Sequence, residues 1–567
     1  MAYLGLWTCQ ISCSGTLYLN EQSLLCSVRD AKASRIGPFN HCNASSAFMG
    51  FSETSRLAQQ TSERSKVGFP GSCNDRGVCY CRMAGAVGGI QLRRIFSFIL
   101  VGLGSWSAPP QATSLAISAP IFAACPDAKE RPELAPSLCA RITVPLDHRQ
   151  QDDRQLSLFV RKFPAASHSK GQLWLVAGGP GESGASFYPF LASLRAAAPG
   201  YDLMIPDHRG TGFSTRLCEA EEAVGSTAGT ALSGAEWGSC FKTLHADADR
   251  TRAFSTSNAA HDLQALIDGF AQGGPTFLYG VSYGTQLVLR TLTIAPPSRL
   301  DGVILDSLVP PEVDPHWDLS HRSAVVDAVG RRVLASCDRK PSCRAALGGS
   351  ASAAMRDVIA NPKLREVLGD HPKYLFGAML DVPEVRARIP VILADLRKGK
   401  VASLAEAKRR LKQIGSKLLS YPQSSSSIPL VGLISGSESN SRPELTDAVV
   451  QREEREFLFA SPLPGLLTQP GLPLYKRDDS FGRLPARMPP IIVLQGTLDP
   501  KTPIEGAAAQ IALLQNRSSV AQVKVIGAPH FLLFAAPDCL VPAVYDFVHG
   551  LRARNTICRS VPNRSSL

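Results

Sequence analysis

Phe277-Leu278-Tyr279-Gly280-Val281-Ser282-Tyr283-Gly284-Thr285-Gln286-Leu287 is the stretch on which the fold turns. Three apolar residues lead into Gly-x-Ser-x-Gly, and from Thr285 to Leu292 apolar residues recur at helical spacing. That order predicts a strand, a sharp turn and a helix, with Ser282 on the turn. A serine held there stands above the sheet edge as a nucleophile. Backbones crowd at such a turn, and the glycines at 280 and 284 relieve the crowding.

Outward from this stretch, short apolar and β-branched runs alternate with helical patterns. The expected strands are Arg141 to Val144, Leu156 to Phe163, Gln172 to Ala177, Tyr201 to Pro206, Thr276 to Tyr279, Gly302 to Leu305, Pro490 to Leu494 and Gln522 to Ile526. Several are almost wholly apolar, as strands buried on both faces are. Asn258 to Phe270 and Tyr283 to Ile294 read as helices between them. The alternation predicts an α/β fold with a mostly parallel central sheet flanked by helices. From Val309 to about Arg487 the rhythm gives way to helical patterns at Ser323 to Ser336, Pro383 to Arg397, Ala402 to Leu419 and Leu445 to Phe459, with a loop at Ser424 to Ser427. This predicts a large helical cap inserted into a single catalytic domain. The expected divisions are 119–310 and 488–567 for the catalytic domain and 311–487 for the cap.

A serine hydroxyl needs an imidazole beside it, itself oriented by a carboxylate. On a strand-turn-helix nucleophile the three follow in the order Ser, Asp, His. Asp499 follows the strand ending at Leu494, and beyond it only His530 and His549 remain among eleven histidines. His549 sits near the end of an apolar helix, which suits a capping role. His530 follows a strand through Gly527-Ala528-Pro529 and is the expected base. Asp499-Pro500 also reads as a turn, and Asp306, one strand earlier, is the alternative acid. The oxyanion needs two backbone N–H groups. Tyr283, after the serine, and Gly179, in Gly178-Gly179-Pro180-Gly181, are the expected donors.

A rival signal overlaps that loop. Gly179 to Gly184 satisfies G-x-G-x-x-G after a strand, and Asp207 closes the next strand, as in a nucleotide-binding oxidoreductase. Glu182 would set a negative charge against a pyrophosphate, Pro180 removes one N–H, and the serine turn would have no purpose.

The 567 residues carry 60 Lys and Arg against 48 Asp and Glu, a net charge of +12. The positive charge is scattered rather than clustered, so no nucleic-acid partner is expected. Residues 1–82 show neither period and read as a non-structural extension, consistent with an over-long gene start. From Met83 the chain passes Arg93-Arg94, an apolar stretch of about ten residues and a proline-rich segment, the order of a secretory signal peptide over 83–118. The apolar stretch is too short to span a membrane, which takes roughly twenty residues. A secreted or periplasmic location is expected. Seven of the fifteen cysteines precede residue 82, and the other eight lie in local couples: Cys125 with Cys139, Cys218 with Cys240, Cys337 with Cys343, Cys539 with Cys558. Such spacing suggests four disulfides, though spacing alone leaves connectivity open. Phe122-Ala123-Ala124-Cys125 also half-resembles a lipoprotein processing site, which would compete with pairing of Cys125.

Four separated stretches resemble the proline iminopeptidase and tripeptidyl aminopeptidase branch of the α/β-hydrolases: Gly178 to Gly181, Asp207 to Thr215, Tyr279 to Thr285, and Gly496 to Pro503 leading to His530. The likeness runs over about residues 125 to 560. It implies an α/β-hydrolase fold and an exported serine exopeptidase that cleaves short peptides from free amino termini through an acyl-enzyme on Ser282, with no cofactor or metal; a monomer is expected. Relatives hold the substrate ammonium with acidic residues on the cap, and Glu438 resembles one such position, although Gly436 stands where that motif usually has cysteine. A solvated position on the cap is the favoured reading of that glutamate. Ala177 stands where many iminopeptidases place a histidine, which favours the tripeptidyl branch over proline specificity. A carboxylesterase acting on small acyl esters is the main alternative, because one triad serves both bonds.

Overall fold

The computed structural model describes residues 121–560 apart from 151–152, 225, 227–235, 469–470 and 551–553, and before them only five short strands. Gln10–Ile11, Thr16–Tyr18 and Cys26–Ser27 form one antiparallel sheet, and Gly71–Cys73 pairs with Cys79–Cys81 in another. Residues 1–82 have no strand period in the sequence, yet they hold these short pairs. The expected signal segment, 83–118, lies outside the described residues.

From residue 121 onward one ten-stranded sheet organises the chain. Its strands are β1 (Ala123–Ala124), β2 (Leu138–Pro145), β3 (Gln155–Phe163), β4 (Gly171–Val176), β5 (Tyr201–Asp207), β6 (Thr276–Val281), β7 (Gly302–Asp306), β8 (Ile491–Gly496), β9 (Val520–Ile526) and β10 (Thr556–Arg559). Their spatial order is β10-β9-β8-β7-β6-β4-β5-β3-β2-β1. Pairing is parallel from β5 across to β10 and antiparallel among β5, β3, β2 and β1. Every residue of β4 to β8 is buried, which explains why they read as continuous apolar runs rather than alternating ones. Successive residues still face opposite sides. Trp174, Leu278 and Leu305 enter the core on one face, and Leu175, Tyr279 and Ile304 the core on the other.

The chain reverses direction across the sheet at β4: β5 lies on one side of it and β6 on the other. Connections leaving the carboxyl ends of β4 and β6 therefore diverge and leave a crevice between them, the usual ligand position in an open α/β sheet. The Gly178–Gly181 loop follows β4, and Ser282 follows β6.

Between β7 and β8 the chain is helical. Its main helices are Arg322–Asp338, Ala351–Ala360, Pro372–Met379, Ile389–Arg397, Ala402–Leu418, Ile428–Glu438 and Asp447–Glu456. The first five share a core of their own that includes Val329, Met355, Phe376 and Leu393, whereas Ile428–Glu438 packs into the sheet core through Leu430, Leu433 and Ile434. The helix expected over Pro383 to Arg397 is two, Pro383–Arg386 and Ile389–Arg397, because Pro390 lacks an N–H and opens a new helix rather than continuing one. The helix Ile428–Glu438 had no readable period, being buried almost all round.

All four cysteine couples are disulfides, with Cα separations of 5.0 Å for Cys125–Cys139, 5.3 Å for Cys218–Cys240, 5.5 Å for Cys337–Cys343 and 5.9 Å for Cys539–Cys558. Cys125 is thus engaged with Cys139 rather than left for a lipid. Among the described residues no helix is long and apolar enough to cross a membrane.

Candidate active site

Ser282 sits between β6 and the helix Tyr283–Ile294 with φ 55° and ψ −126°, a conformation that costs a non-glycine residue roughly 1–3 kcal/mol. Its neighbours show what enforces it. A Cβ on Gly280 would lie 2.5 Å from the Gly284 carbonyl oxygen, and one on Gly284 would lie 2.5 Å from that of Val176. Both positions therefore exclude any side chain. A Cβ on Gly178 would come within 3.0 Å of Ser282 Cβ, so the loop after β4 passes directly beside the serine. The Ser282 N–H donates to the Asp306 carbonyl at 3.0 Å, tying the turn to β7.

Asp499 and His530 meet as the chain order predicts. His530 Nδ1 lies 3.0 Å and 2.9 Å from the two Asp499 oxygens. A carboxylate only accepts, so Nδ1 carries the proton and Nε2 is left as the basic nitrogen. Asp499 also accepts from the Lys501 and Thr502 N–H groups, each at 2.8 Å, and from Thr502 Oγ1 at 2.8 Å. The turn at Asp499-Pro500 and the contact with histidine are one arrangement. Burial pushes the Asp499 carboxyl up, but the charge and hydrogen bond of His530 and the two amides outweigh it, holding it below the usual carboxylate value. Among the described residues no hydrogen bond joins Ser282 Oγ to the imidazole. Thr502, which lines the cleft with Ser282, stands 3.3 Å from His530 Nδ1, so the imidazole lies next to that cleft. Contacts of this kind are commonly long in a resting enzyme and tighten on the substrate.

Asp306, the alternative acid, is fully buried and turned to other work. It accepts from Tyr279 Oη at 2.6 Å, Ser307 Oγ at 2.9 Å, and the N–H groups of Leu532 and Leu533 at 3.0 Å and 3.2 Å. Phe531 N–H donates to Ser307 Oγ at 2.9 Å. Asp306 and Ser307 thereby hold the segment that immediately follows His530. Among the described residues Ser282, Ser307 and Phe531 are the non-glycine residues with positive φ, and all three belong to this assembly. His549 caps the helix Pro537–Val548, its Nδ1 2.8 Å from the Tyr545 carbonyl oxygen.

The cleft is partly open to solvent, and Gly179, Ser282 and Tyr283 are among the residues that line it. Neither the Gly179 nor the Tyr283 N–H is engaged by another group among the described residues. At one end lie Gln286, Glu312 and Glu438. Glu438 is 4% exposed, which corrects its reading as a solvated cap residue. Arg290 bonds both acids, Glu312 Oε1 at 2.9 Å and Glu438 Oε2 at 3.0 Å, while Gln286 donates to the same two oxygens at 2.9 Å and 3.2 Å and Tyr475 Oη to Glu438 Oε1 at 2.8 Å. Two carboxylates share one guanidinium, which leaves a net negative charge. Burial raises the Glu438 carboxyl, Arg290 lowers it and Glu312 raises it, leaving it above the ordinary glutamate value. Gln286 and Arg290 escaped notice in the sequence, although they stand four and eight residues beyond Ser282 and so share its side of the helix. Elsewhere in the cleft lie Lys501, Thr502 and Arg322, whose guanidinium burial pulls down to about 10 against the pull of Asp499 and Asp381.

The glycine-rich signal has a different use from nucleotide binding. Asp207 is buried and accepts from the Gly184 N–H at 2.7 Å and the Phe213 N–H at 2.8 Å, so it closes loops and offers nothing to a ribose. Gly184 opens a 3₁₀ segment rather than an α-helix whose N-terminus could face a pyrophosphate. In the same stretch Arg209 is buried, bonding Asp262 through Nε at 2.6 Å and through a terminal nitrogen at 2.7 Å. Burial pushes the His208 imidazole down to about 4. Asp207 to Thr215 is thus a structural clamp beneath the crevice.

A family model described as the alpha/beta hydrolase fold matches residues 173–346. Serine protease Hip1 of Mycobacterium tuberculosis is 28% identical over 226 residues, 36% of this chain and 42% of that protein. Tripeptidyl aminopeptidase of Streptomyces coelicolor is 28% identical over 206 residues, 32% of this chain and 37% of that protein. The chain therefore spans about two fifths of the length of the curated relatives it matches. Among solved structures, the proline iminopeptidase of Mycobacterium smegmatis aligns with 72% of this chain and 98% of its own at 14% identity and a TM-score of 0.35. By its sheet, its serine turn and the matching family model, this chain has the α/β-hydrolase fold, and it is similar in sequence to a serine protease and a tripeptidyl aminopeptidase.

Proposed function

We propose that the chain is an exported serine aminopeptidase that releases short peptides or single residues from free amino termini through an acyl-enzyme on Ser282. The observation that carries this reading is the two-oxygen contact of Asp499 with His530 beside a cleft lined by Ser282, the buried Glu438 and the half-buried Glu312. In this mechanism His530 Nε2 takes the Ser282 Oγ proton as the oxygen attacks the peptide carbonyl. The N–H groups of Gly179 and Tyr283 hold the oxyanion. The imidazolium then gives its proton to the departing amine, the C–N bond breaks, and the same nitrogen activates the water that frees the acyl group. Glu438, with Glu312, meets the substrate ammonium and sets how far the peptide reaches.

The proposal includes the division of the chain into a catalytic domain, 119–310 and 488–567, with 311–487 as a cap limiting access to short peptides. Four disulfides and the similarity to Hip1 support export, by a signal beginning near Met83. The test is the purified enzyme on tripeptidyl and aminoacyl nitroanilides beside short-chain nitrophenyl esters. Amide turnover that Ser282→Ala removes is the expected result. Turnover of esters alone would assign the protein to the carboxylesterases, and activity surviving Ser282→Ala would end the mechanism.

A further inference from the structure

Arg322 is a cation without a fixed partner at the cleft. It opens the cap helix Arg322–Asp338, it is 8% exposed, and it lines the cleft with Ser282. Its Nε is buried with no hydrogen-bond partner, and among the described residues no carboxylate lies within ion-pair distance of its guanidinium. The acids that act on it from farther away are committed elsewhere, Asp499 to His530 and Asp381 to Lys501 Nζ at 3.4 Å. Nor does the helix offer compensation, because its N-terminus carries partial positive charge and disfavours a cation there. A buried guanidinium left in this state is costly for the fold, and a carboxylate matches its fork of donors in two parallel bonds.

The position of Arg322 within the cleft indicates which carboxylate. The acidic end, Glu312 and Glu438, is built on the serine helix and the cap around Gln286 and Arg290. Arg322 lines the cleft with Lys501 and Thr502, the acids whose charge reaches it are Asp499 and Asp381, the partners of His530 and Lys501, and Thr502 touches His530. The imidazole delivers a proton to the leaving amine, so groups beside it face the leaving half of the substrate. We propose that Arg322, with Lys501 at the rim, binds the terminal carboxylate of a short leaving segment, so that the cleft reads both ends of a small peptide. This rests on the aminopeptidase reading given above.

The test compares one tripeptidyl-leucine substrate as the free acid and as the carboxamide. The acid is expected to be cleaved with kcat/KM at least tenfold higher, and Arg322→Gln to bring the ratio near one while Arg322→Lys keeps part of it. A third substrate, amidated but with glutamate as the leaving residue, is expected to behave as the carboxamide. If it matches the acid, the site reads side chains and the terminal assignment falls. Equal rates for acid and amide in the unaltered enzyme, or a ratio that Arg322→Gln leaves intact, would overturn the proposal. The tripeptidyl nitroanilide, which has no carboxylate, reports separately on the aminopeptidase reading. Calorimetric binding of leucine and leucinamide to the Ser282→Ala protein decides the subsite even where turnover is absent, with tenfold tighter binding of the acid expected and equal binding overturning it. Melting curves of both Arg322 variants report whether they fold.

Discussion

At the scale of single residues, the cleft separates the group that reacts from the groups that choose. In the proposed mechanism Ser282, Asp499 and His530 serve acyl transfer to any ester or amide, and the selection lies with the charges around them. Glu438 is the clearest case. Replacing it by glutamine leaves Arg290 still paired with Glu312, so no buried cation is orphaned, and the change is chiefly the loss of one negative charge. Glu438→Gln is expected to raise KM for substrates with a free amine by about tenfold or more, the scale of one charged hydrogen bond, and to leave nitrophenyl esters nearly untouched; steady-state kinetics on both substrates checks this. The same residue predicts a pH effect. Its folded carboxyl titrates above the ordinary glutamate value, so its charge is complete above that raised value and is lost as pH falls through it. KM for free-amine substrates should therefore climb on the acid side while KM for esters stays level.

Elements meet at β7, where Asp306 joins three parts of the site. Its carbonyl holds Ser282, its carboxylate holds the backbone after His530, and Tyr279 on β6 closes the group. Burial raises this carboxyl, while its hydrogen bonds from Tyr279, Leu532, Ser307 and Leu533 pull the other way. Asp306→Ala strands the two N–H groups in the interior and removes the tie to Tyr279, at a cost of roughly 3 kcal/mol or more. A lower midpoint in urea unfolding, with fluorescence and circular dichroism moving together, is the expected outcome. Asp306 also shows how far sequence reading reached. Its place at the end of a strand made it the alternative to Asp499, and the structure brings His530 against Asp499 rather than against it.

For the whole molecule, the disulfides stabilise chiefly by restricting the unfolded chain. Cys125 and Cys139 close a loop of sequence separation 14 across the β1–β2 edge. A loop of that length is worth about 3 kcal/mol, so Cys125→Ala with Cys139→Ala should lower the thermal midpoint clearly. Both residues lie at the β1–β2 edge of the sheet, away from the cleft between the ends of β4 and β6, so kcat on a tripeptidyl nitroanilide should hold at temperatures where the variant stays folded. Calorimetry and initial rates on the same preparation measure the two effects.

The sequence by itself determined what is local or periodic: the eight central strands, the glycine-flanked turn that exposes Ser282, the order that singled out Asp499 and His530, and the four couples of cysteines. Each follows from spacing along the chain or from burial on both faces of a strand, and both leave a mark in residue order. Tertiary structure alone decided the rest. The edge strands β1 and β10 are too short or too exposed to show a period. The helix Ile428–Glu438 is buried nearly all round and so lacks one. Glu312 with Glu438 around Arg290, and Arg322 in one cleft with Thr502, bring together groups from separate segments that no spacing relates. The proposed nucleophile is legible in the chain because a turn is local; the charges proposed to select its substrate come together only when the helical segment between β7 and β8 folds against the sheet.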